Sequence, residues 1–528
     1  MLLLPSILGL LLGAPPQKTA AAGDPLPTDA KPQVTRAELE HHVRFLASDE
    51  LAGRACFTPG TQRASEYLAR ALTAYGLEPA GDGGTFFQAI DARRLEFTAA
   101  PRLRWTNDAG EVAEAALGVD FDLELRGRAR STEMLPVKMF FDYTADRLPK
   151  QGDPAQAVYF GVGPTARAEY FERLGITDLR DWGLELDVDV GPKGYEQGKP
   201  REMPGPRVAS VGAADGCERV VLRGELRRQL ERGKLTQLQL VVEESENPLV
   251  ERNVLARIRG AGSAEHPELA QEAVVLIAHY DHLGAGGRKK QKKDEGGDQI
   301  CNGADDNASG CAALLELAQA YASGPRPART LVFLFTSGEE TGGLGIHQYM
   351  AAPAEPLDHT VASLCLEMFG RPDPEIGGAG KLWLTGHDRT NLGPSYESRG
   401  LAIVADPRPD LKFFQRSDNY ALALAGVVSQ SLSSFGSHAD YHKPSDEADT
   451  LDYAHLEAVT NVARTAVDPL ADGSLKPEWI EGRRPRKPQE LGQTSPEEQR
   501  RRVLREARDK SAPKEESGEE EPKSERDG

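Results

Sequence analysis

Five short runs rich in apolar residues, several of them with Val or Ile, in the second half of this 528-residue chain constrain its fold more than any other feature. In chain order they read RNVLARI, EAVVLIAH, TLVFLF, ASLCLEM and AGVVSQSL, and segments of helical pattern such as NASGCAALLELAQAYA separate some of them. Strands that are apolar along their whole length and alternate with helices are typical of a parallel sheet covered on both faces. The sequence therefore predicts an α/β fold for residues 251–472, with a mostly parallel mixed sheet flanked by helices.

The remainder of the chain divides into three regions of different character. Residues 35–91 contain two stretches of helical spacing, TRAELEHHVRFLASDELAG and ASEYLARALTAYGL, which predict a helical segment that packs on the α/β domain. Thr35, with Glu38 three residues later, forms a capping-box pattern at the start of the first stretch. Residues 92–250 contain short alternating segments separated by Gly and Pro, which predict a β-rich inserted domain. Residues 475–528 are dense in charge and poor in large apolar side chains, so they are predicted to be a disordered tail.

The chain begins with the apolar run MLLLPSILGLLLGA, which is too short to span a bilayer and is followed by small residues. This pattern predicts a signal peptide at residues 1–22 and export to a periplasm or to the cell exterior, with a short membrane anchor as the alternative. No later stretch is long and apolar enough to span a bilayer, so we expect no stable membrane insertion. The formal net charge of −19 argues against nucleic acid as a partner. The five cysteines, which include no CxxC spacing, are expected to be inert buried thiols, and the oligomeric state stays open.

Side chains suited to metal binding follow four of the five apolar runs. In chain order they are His279, Asp281, His282, Glu339, Glu340, Glu367, His438, Asp440 and His442, and Asp305 and Asp306 precede a helix in GADDNASG. Because the carboxyl ends of parallel strands meet at one edge of a sheet, we expect these groups to converge. Imidazoles and carboxylates together suit a divalent metal, zinc first, and a shared carboxylate allows two ions to lie close together.

Each of these residues has a simpler structural explanation when it is considered alone. A single His after a strand is usually a hydrogen-bonding group, Asp305 and Asp306 fit a helix cap, and Glu339 and Glu340 fit a solvated turn. Such explanations would have to hold at five separate places, all at the same end of the sheet. The joint pattern therefore favours a metal site over a set of unrelated structural roles.

The motifs AHYDHLG, NGADDNASG, TSGEETGG, LEM and DYHKPSDEAD occur in this order between residues 250 and 455. In this respect the chain resembles peptidase family M28, the co-catalytic zinc peptidases of the aminopeptidase and glutamate-carboxypeptidase group. FLASDELAGRACFTPG and GLEPAGDGGTFFQ also resemble the segment that precedes the peptidase domain in many bacterial members. The resemblance implies a zinc-peptidase/phosphorylase-like fold, and a protease-associated domain at the position of residues 92–250.

The resemblance also implies two Zn²⁺ ions that share one carboxylate. The family's metal ligands match His279, Asp306 and Glu367 for one ion, and Asp306, Glu340 and His442 for the other. Glu339 matches the general base of the family. Asp281 matches the acid that orients the imidazole of His279 through its other ring nitrogen.

The chain departs from the family pattern at two places. Glu367 stands where the family usually has Asp, so the charge is kept on a longer side chain. Ser417-Asp418-Asn419 stands where the family has Ser-Asp-His, which leaves the roles of Asp418 and Asn419 open. His438 and Asp440 have no firm counterpart in the family and are predicted to be structural rather than metal-binding.

The predicted function is that of an exported di-zinc metallopeptidase acting on a peptide or protein substrate, with aminopeptidase action favoured. Glu339 would serve as the general base toward a metal-activated water. Two alternatives stay open: a single-zinc enzyme like the glutaminyl cyclases, and a catalytically inactive binding or receptor homologue. The chain contains neither GxSxG nor HExxH, which disfavours a serine hydrolase and a zincin.

Overall fold

The structure, a computed structural model, describes residues 33–124, 131–140, 157–160, 184–188, 207–210, 219–286 and 297–485. The predicted signal peptide and residues 486–528 of the predicted tail lie outside the described residues. The chain divides into two compact units. The first comprises Met1–Arg94, Val208–Ala213 and Glu246–Pro485, and the second comprises Leu95–Arg207, Ala214–Ser245 and Arg486–Gly528, each as far as it is described.

The strands and helices of the described residues are numbered here in chain order. The strands are β1 (Glu78–Pro79), β2 (Phe87–Ala89), β3 (Ala92–Asn107), β4 (Val112–Ala116), β5 (Phe121–Glu124), β6 (Leu135–Phe140), β7 (Ala157–Phe160), β8 (Leu184–Val188), β9 (Arg207–Ser210), β10 (Arg219–Leu222), β11 (Leu235–Leu249), β12 (Arg252–Ile258), β13 (Ala273–His279), β14 (Gly284–Ala285), β15 (Ile300–Cys301), β16 (Thr330–Thr336), β17 (Thr360–Glu367), β18 (Leu382–Leu384), β19 (Ile403–Ala405) and β20 (Val428–Ser433). The α-helices are α1 (Arg36–Leu46), α2 (Pro59–Ala74), α3 (Gly224–Glu231), α4 (Gly310–Ala322), α5 (Leu344–Ala351), α6 (Leu392–Ser398), α7 (Asn419–Ala425) and α8 (Tyr453–Ala471).

The first unit is built on a mixed sheet of nine strands in the order β1-β12-β16-β13-β17-β20-β18-β19, with β2 paired to β12. The four central strands β16, β13, β17 and β20 run parallel to one another. Strand β12 pairs antiparallel with β16, and β18 pairs antiparallel with β20. The prediction of a mixed α/β sheet is therefore confirmed. Its parallel pairing is confined to the centre and to the β18–β19 pair.

Strand β13 shows why the central runs are apolar without interruption, because all seven of its residues are buried. Val274, Leu276 and Ala278 pack on one face in a core that includes apolar residues of α1, α2, α4 and α8. Val275 and Ile277 pack on the other face with apolar residues of α5 and α7. Helices thus flank both faces of the sheet, as a parallel sheet requires.

The first helix begins at the predicted cap, Thr35. The backbone N–H of Thr35, however, has a partner that the spacing of the sequence does not show. The hydroxyl of Thr35 accepts a hydrogen bond from the backbone N–H of Glu38 and donates one to the Glu38 carboxylate at 2.7 Å. The backbone N–H of Thr35 donates instead to Glu316 of α4 at 3.0 Å. Helix α1 ends at Leu46, so the later part of the first predicted helical stretch forms a loop with a short turn at Asp49–Arg54.

The second unit contains strands that follow the order β4-β3-β11-β6-β7-β8-β10-β5. Its core includes the buried side chains of Leu103, Phe121, Val220 and Leu238, together with Leu226 and Leu230 of α3. The described part of residues 92–250 is thus rich in strands. Its assignment as a protease-associated domain stays a prediction.

Residues 475–485 belong to the folded part of the first unit rather than to the predicted tail. Arg329 donates to the carbonyl oxygen of Leu475 at 3.0 Å, and the indole N–H of Trp479 donates to the carbonyl oxygen of Gly426 at 2.9 Å. Leu475 is buried. Contacts of Leu475 and Trp479 thus hold this stretch against the domain, which its average composition did not indicate.

None of the helices within the described ranges combines the length and the apolarity that crossing a bilayer requires.

A buried polar group connects α1 and α2. The fully buried ring of His42 has Nδ1 2.6 Å from the hydroxyl of Tyr67 and Nε2 3.1 Å from the hydroxyl of Tyr75. Burial lowers the pKa of His42 from 6.5 to about 4, against the attraction of nearby Glu38. The folded protein therefore binds this proton more weakly than the unfolded chain does.

We expect this difference to reduce the free energy of unfolding as the pH falls from about 6.5 to 4. The unfolded state takes up a proton that the folded state excludes, and the full shift is equivalent to about 3 kcal/mol. In urea unfolding at pH 7 and pH 4.5, a His42→Gln variant should lose about 2.5 kcal/mol less than the parent. A His266→Gln variant, altered at a histidine with 62% side-chain exposure, should follow the parent. Equal losses in all three proteins would contradict the prediction.

Candidate metal centre

The four parallel strands place their carboxyl ends along one edge of the sheet. Strands β13 and β17 end at His279 and Glu367, and β16 and β20 end at Thr336 and Ser433. In the pairing register, His279 lies beside Thr336, and Glu367 lies beside Ser433. The loops that leave this edge carry the remaining His and carboxylate groups, so the predicted convergence has a direct cause in the topology.

A first group of potential ligands forms around His279. Its Nε2 lies 3.2 Å from Oδ1 of Asp306 and 3.4 Å from Oε2 of Glu367. All three side chains are largely buried, and Glu367 is the most exposed of them at 15%. The structure therefore brings together one of the two predicted ligand sets.

A second group forms around the other carboxylate oxygen of Asp306. The Nε2 of His442 lies 3.0 Å from Oδ2 of Asp306 and 3.0 Å from Oε1 of Glu340. The Nδ1 of His282 lies 3.1 Å from the same Glu340 oxygen and 4.0 Å from Oδ2 of Asp306. Asp306 thus faces each group with a different oxygen, which is the arrangement a shared carboxylate needs.

The separations between donor atoms fit a metal ion. Ligand atoms at about 2.0–2.2 Å from a tetrahedral zinc ion lie about 3.3–3.6 Å from each other, close to the contacts observed around Asp306. The two groups of three, His279–Asp306–Glu367 and His282–Asp306–Glu340, each bring one ligand atom per residue within 4.8 Å of the others. Carboxylates gathered in so buried a place need compensating positive charge. The residues present therefore fit one divalent ion on each side of Asp306.

His282 is the member of the cluster that the sequence predicted near the site but that belongs to neither predicted ligand set. Its ring is buried, and its Nδ1 lies 3.1 Å from Oε1 of Glu340. Its ring makes an edge-to-face contact with the ring of His442, with the ring centroids 5.6 Å apart. The available signal was its place in AHYDHLG, three residues after His279. Spacing alone does not show toward which group a loop side chain points.

The carboxylate of Asp281 holds the two adjacent glutamates. It accepts the backbone N–H of Glu339 at 3.2 Å and that of Glu340 at 3.3 Å, one on each oxygen. Nδ1 of His279 lies 3.7 Å from this carboxylate and 3.2 Å from the carbonyl oxygen of Asp281. The backbone carbonyl, rather than the predicted carboxylate, is therefore within hydrogen-bond distance of His279. The carboxylate instead ties the loop after β16 to the loop after β13.

Neighbouring Glu339 and Glu340 face different surroundings because the chain turns sharply at this strand end. Gly338 has a φ of 86°, and a Cβ atom there would lie 2.7 Å from the Cβ of Leu344. Glu340 joins the second group, whereas Glu339 lines a pocket that His279 and Asp306 also line. Desolvation raises the pKa of Glu339 well above its ordinary value.

The departures from the family pattern have separate structural roles. Ser417 donates to Oε1 of Glu367 at 2.5 Å, and this contact fixes the longer acid beside His279. Buried Asp418 accepts from Thr336 at 2.5 Å, and burial raises its pKa to about 7. The side-chain oxygen of Asn419 accepts from Ser431 of β20 at 3.0 Å. Asn419 therefore supports the sheet and joins neither ligand group.

His438 lies behind the ligand groups. Its Nε2 is 3.2 Å from Oδ2 of Asp305. Asp446 accepts the backbone N–H groups of Asp305 and Asp306 at 3.0 and 3.1 Å. These contacts hold the backbone of the shared carboxylate and agree with a structural role for His438.

The pocket beside the two groups is lined by both apolar and polar side chains. The rings of Trp383 and Phe413 lie 5.2 Å apart, and Met368 also lines the cavity. Thr385 and Ser431 contribute hydroxyl groups. This cavity can hold an apolar or aromatic side chain next to the carboxylates.

Comparison with known proteins shows that part of the chain is similar to a peptidase family. Residues 253–467 match the model of peptidase family M28. The BOS complex subunit ncln of Danio rerio is 30% identical over 171 residues, which are 30% of this chain and 26% of that protein. The chain therefore spans about a quarter of the length of the curated relative it matches.

Two solved structures resemble the chain at low sequence identity. The aminopeptidase from Aneurinibacillus sp. strain AM-1 is 17% identical, with a TM-score of 0.45, over 83% of this chain and 94% of that chain. The zinc aminopeptidase BSAP from Bacillus subtilis is 15% identical, with a TM-score of 0.44, over 84% of this chain and 98% of that chain.

Proposed function

We propose that this protein, whose residues 253–467 belong to peptidase family M28, is an exported di-zinc metallopeptidase that removes amino-terminal residues from peptides. The observation that carries the proposal is the position of Asp306. Its two carboxylate oxygens face two separate groups of imidazole and carboxylate donors. A carboxylate shared in this way is the bridge that a pair of catalytic metal ions requires.

The ligands in this proposal come from five points of the chain. His279 and Glu367 complete one set, Glu340 and His442 complete the other, and Asp306 belongs to both. His282 lies close enough to Glu340 to add a third imidazole to the centre. When bound, the zinc ions supply Lewis acidity and make water acidic enough to lose a proton near neutral pH.

Glu339 is the general base in this proposal. Its carboxylate lines the pocket next to His279 and Asp306, so it faces the place where a peptide would lie. It accepts the proton of the attacking water and returns it to the leaving amine. Asp281 supports the separate roles of Glu339 and Glu340, because its carboxylate accepts hydrogen bonds from the backbone N–H groups of both residues.

The pocket favours substrates with an apolar amino-terminal side chain. Trp383, Phe413 and Met368 offer apolar surface, which contributes about 25 cal/mol per Å² of apolar area removed from water. The free amino group of a substrate is a cation, and the carboxylates at the pocket wall attract it. The attraction between these carboxylates and an amino group supports amino-terminal release, whereas the apolar surface supports a preference for apolar side chains.

Metal content combined with a substrate panel tests the proposed function. Purified protein should hold nearly two zinc ions per chain and hydrolyse leucine and phenylalanine p-nitroanilides. Chelation should abolish the activity and added zinc should restore it, while N-acetylated versions of the same substrates should resist cleavage. One zinc ion per chain, together with cyclisation of an amino-terminal glutamine, would assign the protein to the cyclase alternative.

The relative from Danio rerio favours a second candidate function, because its name describes a subunit of a complex. The chain would then act as a catalytically inactive binding protein within an assembly. The shared carboxylate and the complete donor sets favour the enzyme, because a binding role does not require them. Zinc-free protein without turnover on any substrate of the panel would support the binding role instead.

Export and the identity of the inserted domain belong to the same proposal. The pattern of residues 1–22 supports cleavage and export, and the strands within residues 92–250 are compatible with a protease-associated domain. Amino-terminal sequencing of the protein recovered from the producing cell should show that residues 1–22 are absent.

A further inference from the structure

The guanidinium of Arg54 lies between the two loops that lead to the potential metal ligands. Arg54 is fully buried in the turn after α1. Its Nε donates to the carbonyl oxygen of Tyr280 at 2.8 Å, and Tyr280 stands between His279 and Asp281. Its Nη2 donates to the carbonyl oxygen of Gly303 at 3.0 Å, three residues before Asp306. One side chain thus binds the backbone on both sides of the centre.

Two further contacts complete the set around this guanidinium. Nη1 donates to the carbonyl oxygen of Asn302 at 2.6 Å and also to that of Leu46 at the end of α1. The backbone carbonyl of Arg54 accepts the N–H of His282 at 3.1 Å. These hydrogen bonds join α1, the loop after β13 and the loop before α4 at one point.

The backbone around Arg54 leaves little freedom for adjustment. Ala52, Gly53 and Arg54 have positive φ values of 48°, 69° and 50°, and the first and last of these carry side chains. A Cβ atom on Gly53 would lie 2.4 Å from the carbonyl oxygen of Cys301. Such conformations persist only where surrounding contacts impose them, and they cluster near functional sites.

The positive charge of Arg54 also interacts with the acidic groups of the centre. The hydrogen-bond partners described above are all backbone carbonyl groups, so none of them neutralises the buried cation. The acidic groups that attract it include Asp281, Asp306 and Asp446. A fixed cation at this place offsets part of the repulsion among the carboxylates and loses its own stabilisation when they are removed.

We infer that Arg54 is a positioning residue of the metal centre, which fixes the His279–His282 loop at the correct distance from the Asp306 loop. The inference rests on the proposed function, because it takes these residues as metal ligands. On this inference, the segment of residues 35–91 contributes to the metal centre and does not only pack on the α/β domain. Groups that orient metal ligands typically contribute 10- to 100-fold to metal affinity.

The test measures zinc affinity in the full-length protein by competition with a chromogenic chelator. Arg54→Met keeps the length of the side chain and removes every donor, so we expect zinc affinity to fall 10- to 100-fold. Arg54→Lys keeps the charge but cannot reach all four carbonyl oxygens, so we expect a smaller fall in the same direction. Arg63→Met is the matched control, because Arg63 lies in the same segment and donates to a single carbonyl, that of Glu50. Its zinc affinity should equal that of the parent.

The outcomes separate this inference from the proposed function. If the parent binds zinc and folded Arg54→Met binds it within twofold as tightly, Arg54 is not a positioning residue. If Arg54→Met does not fold, the same criterion applies to Arg54→Lys. Zinc binding by the parent without peptidase activity refutes the proposed function and leaves the Arg54 comparison valid. A parent that binds no zinc refutes both.

Discussion

A Glu339→Gln variant will bind zinc as tightly as the parent and lose most of its turnover. The amide keeps the shape of the side chain but cannot accept a proton, and a positioned general base contributes about 10²- to 10⁴-fold to a rate. Glu339 lines the pocket, whereas its neighbour Glu340 belongs to the second ligand group, so the substitution leaves both donor sets intact. The measurement is kcat on leucine p-nitroanilide with saturating zinc, together with the zinc content of the same preparation.

The control for this variant is Glu268→Gln. Glu268 is an exposed glutamate whose partner is His266, outside the centre. Its kcat should match that of the parent. A Glu339→Gln enzyme that keeps more than a tenth of the parent kcat would assign proton transfer to another group.

Replacement of Asp306 by Ala will have the larger effect on metal content. Both ligand groups use this carboxylate, one through each oxygen, so its removal weakens both zinc sites together. Metal ions supply several kcal/mol of transition-state stabilisation, so we expect kcat/KM to fall by at least about 10³-fold. Zinc content, measured by elemental analysis after dialysis, should fall from nearly two ions per chain to fewer than one.

A His442→Ala variant provides the graded comparison. It removes a donor from the second group only, so one ion should remain. Circular dichroism establishes that both variants are folded. If Asp306→Ala retained as much zinc as His442→Ala, the two sites would not share that carboxylate.

The sequence predicted the sheet because the central strands carry their signal locally. Strands β13 and β16 are buried along their whole length, and this burial is what an unbroken apolar run records. Once these strands are placed side by side, the approach of His279, Glu340 and Glu367 follows from topology. The prediction of the sheet thus depends on strands whose burial can be recognised from their own local sequence.

The remaining features depend on contacts between distant residues, which spacing does not encode. His282 turns toward Glu340 because of the path of its loop, and Asp281 uses its carboxylate on backbone amides that belong to another loop. The indole N–H of Trp479 donates to the carbonyl oxygen of Gly426, a residue far away in the sequence. The stretch that contains Arg54 resembles the family, but the role of Arg54 could not be predicted, because its partners are backbone carbonyl oxygens, which every sequence contains.

The donor groups come from separate strand ends, and the interval from His279 to His442 covers most of the α/β domain. In the proposed centre, the donors of both ions are complete only when the last central strand, β20, has joined the sheet, because His442 follows that strand. Zinc uptake is therefore coupled to completed folding, with binding free energy added to the stability of the native state alone. On the proposed export route, a chain still crossing the membrane would lack the complete pair of ions, and it would acquire the pair only in the compartment where it folds.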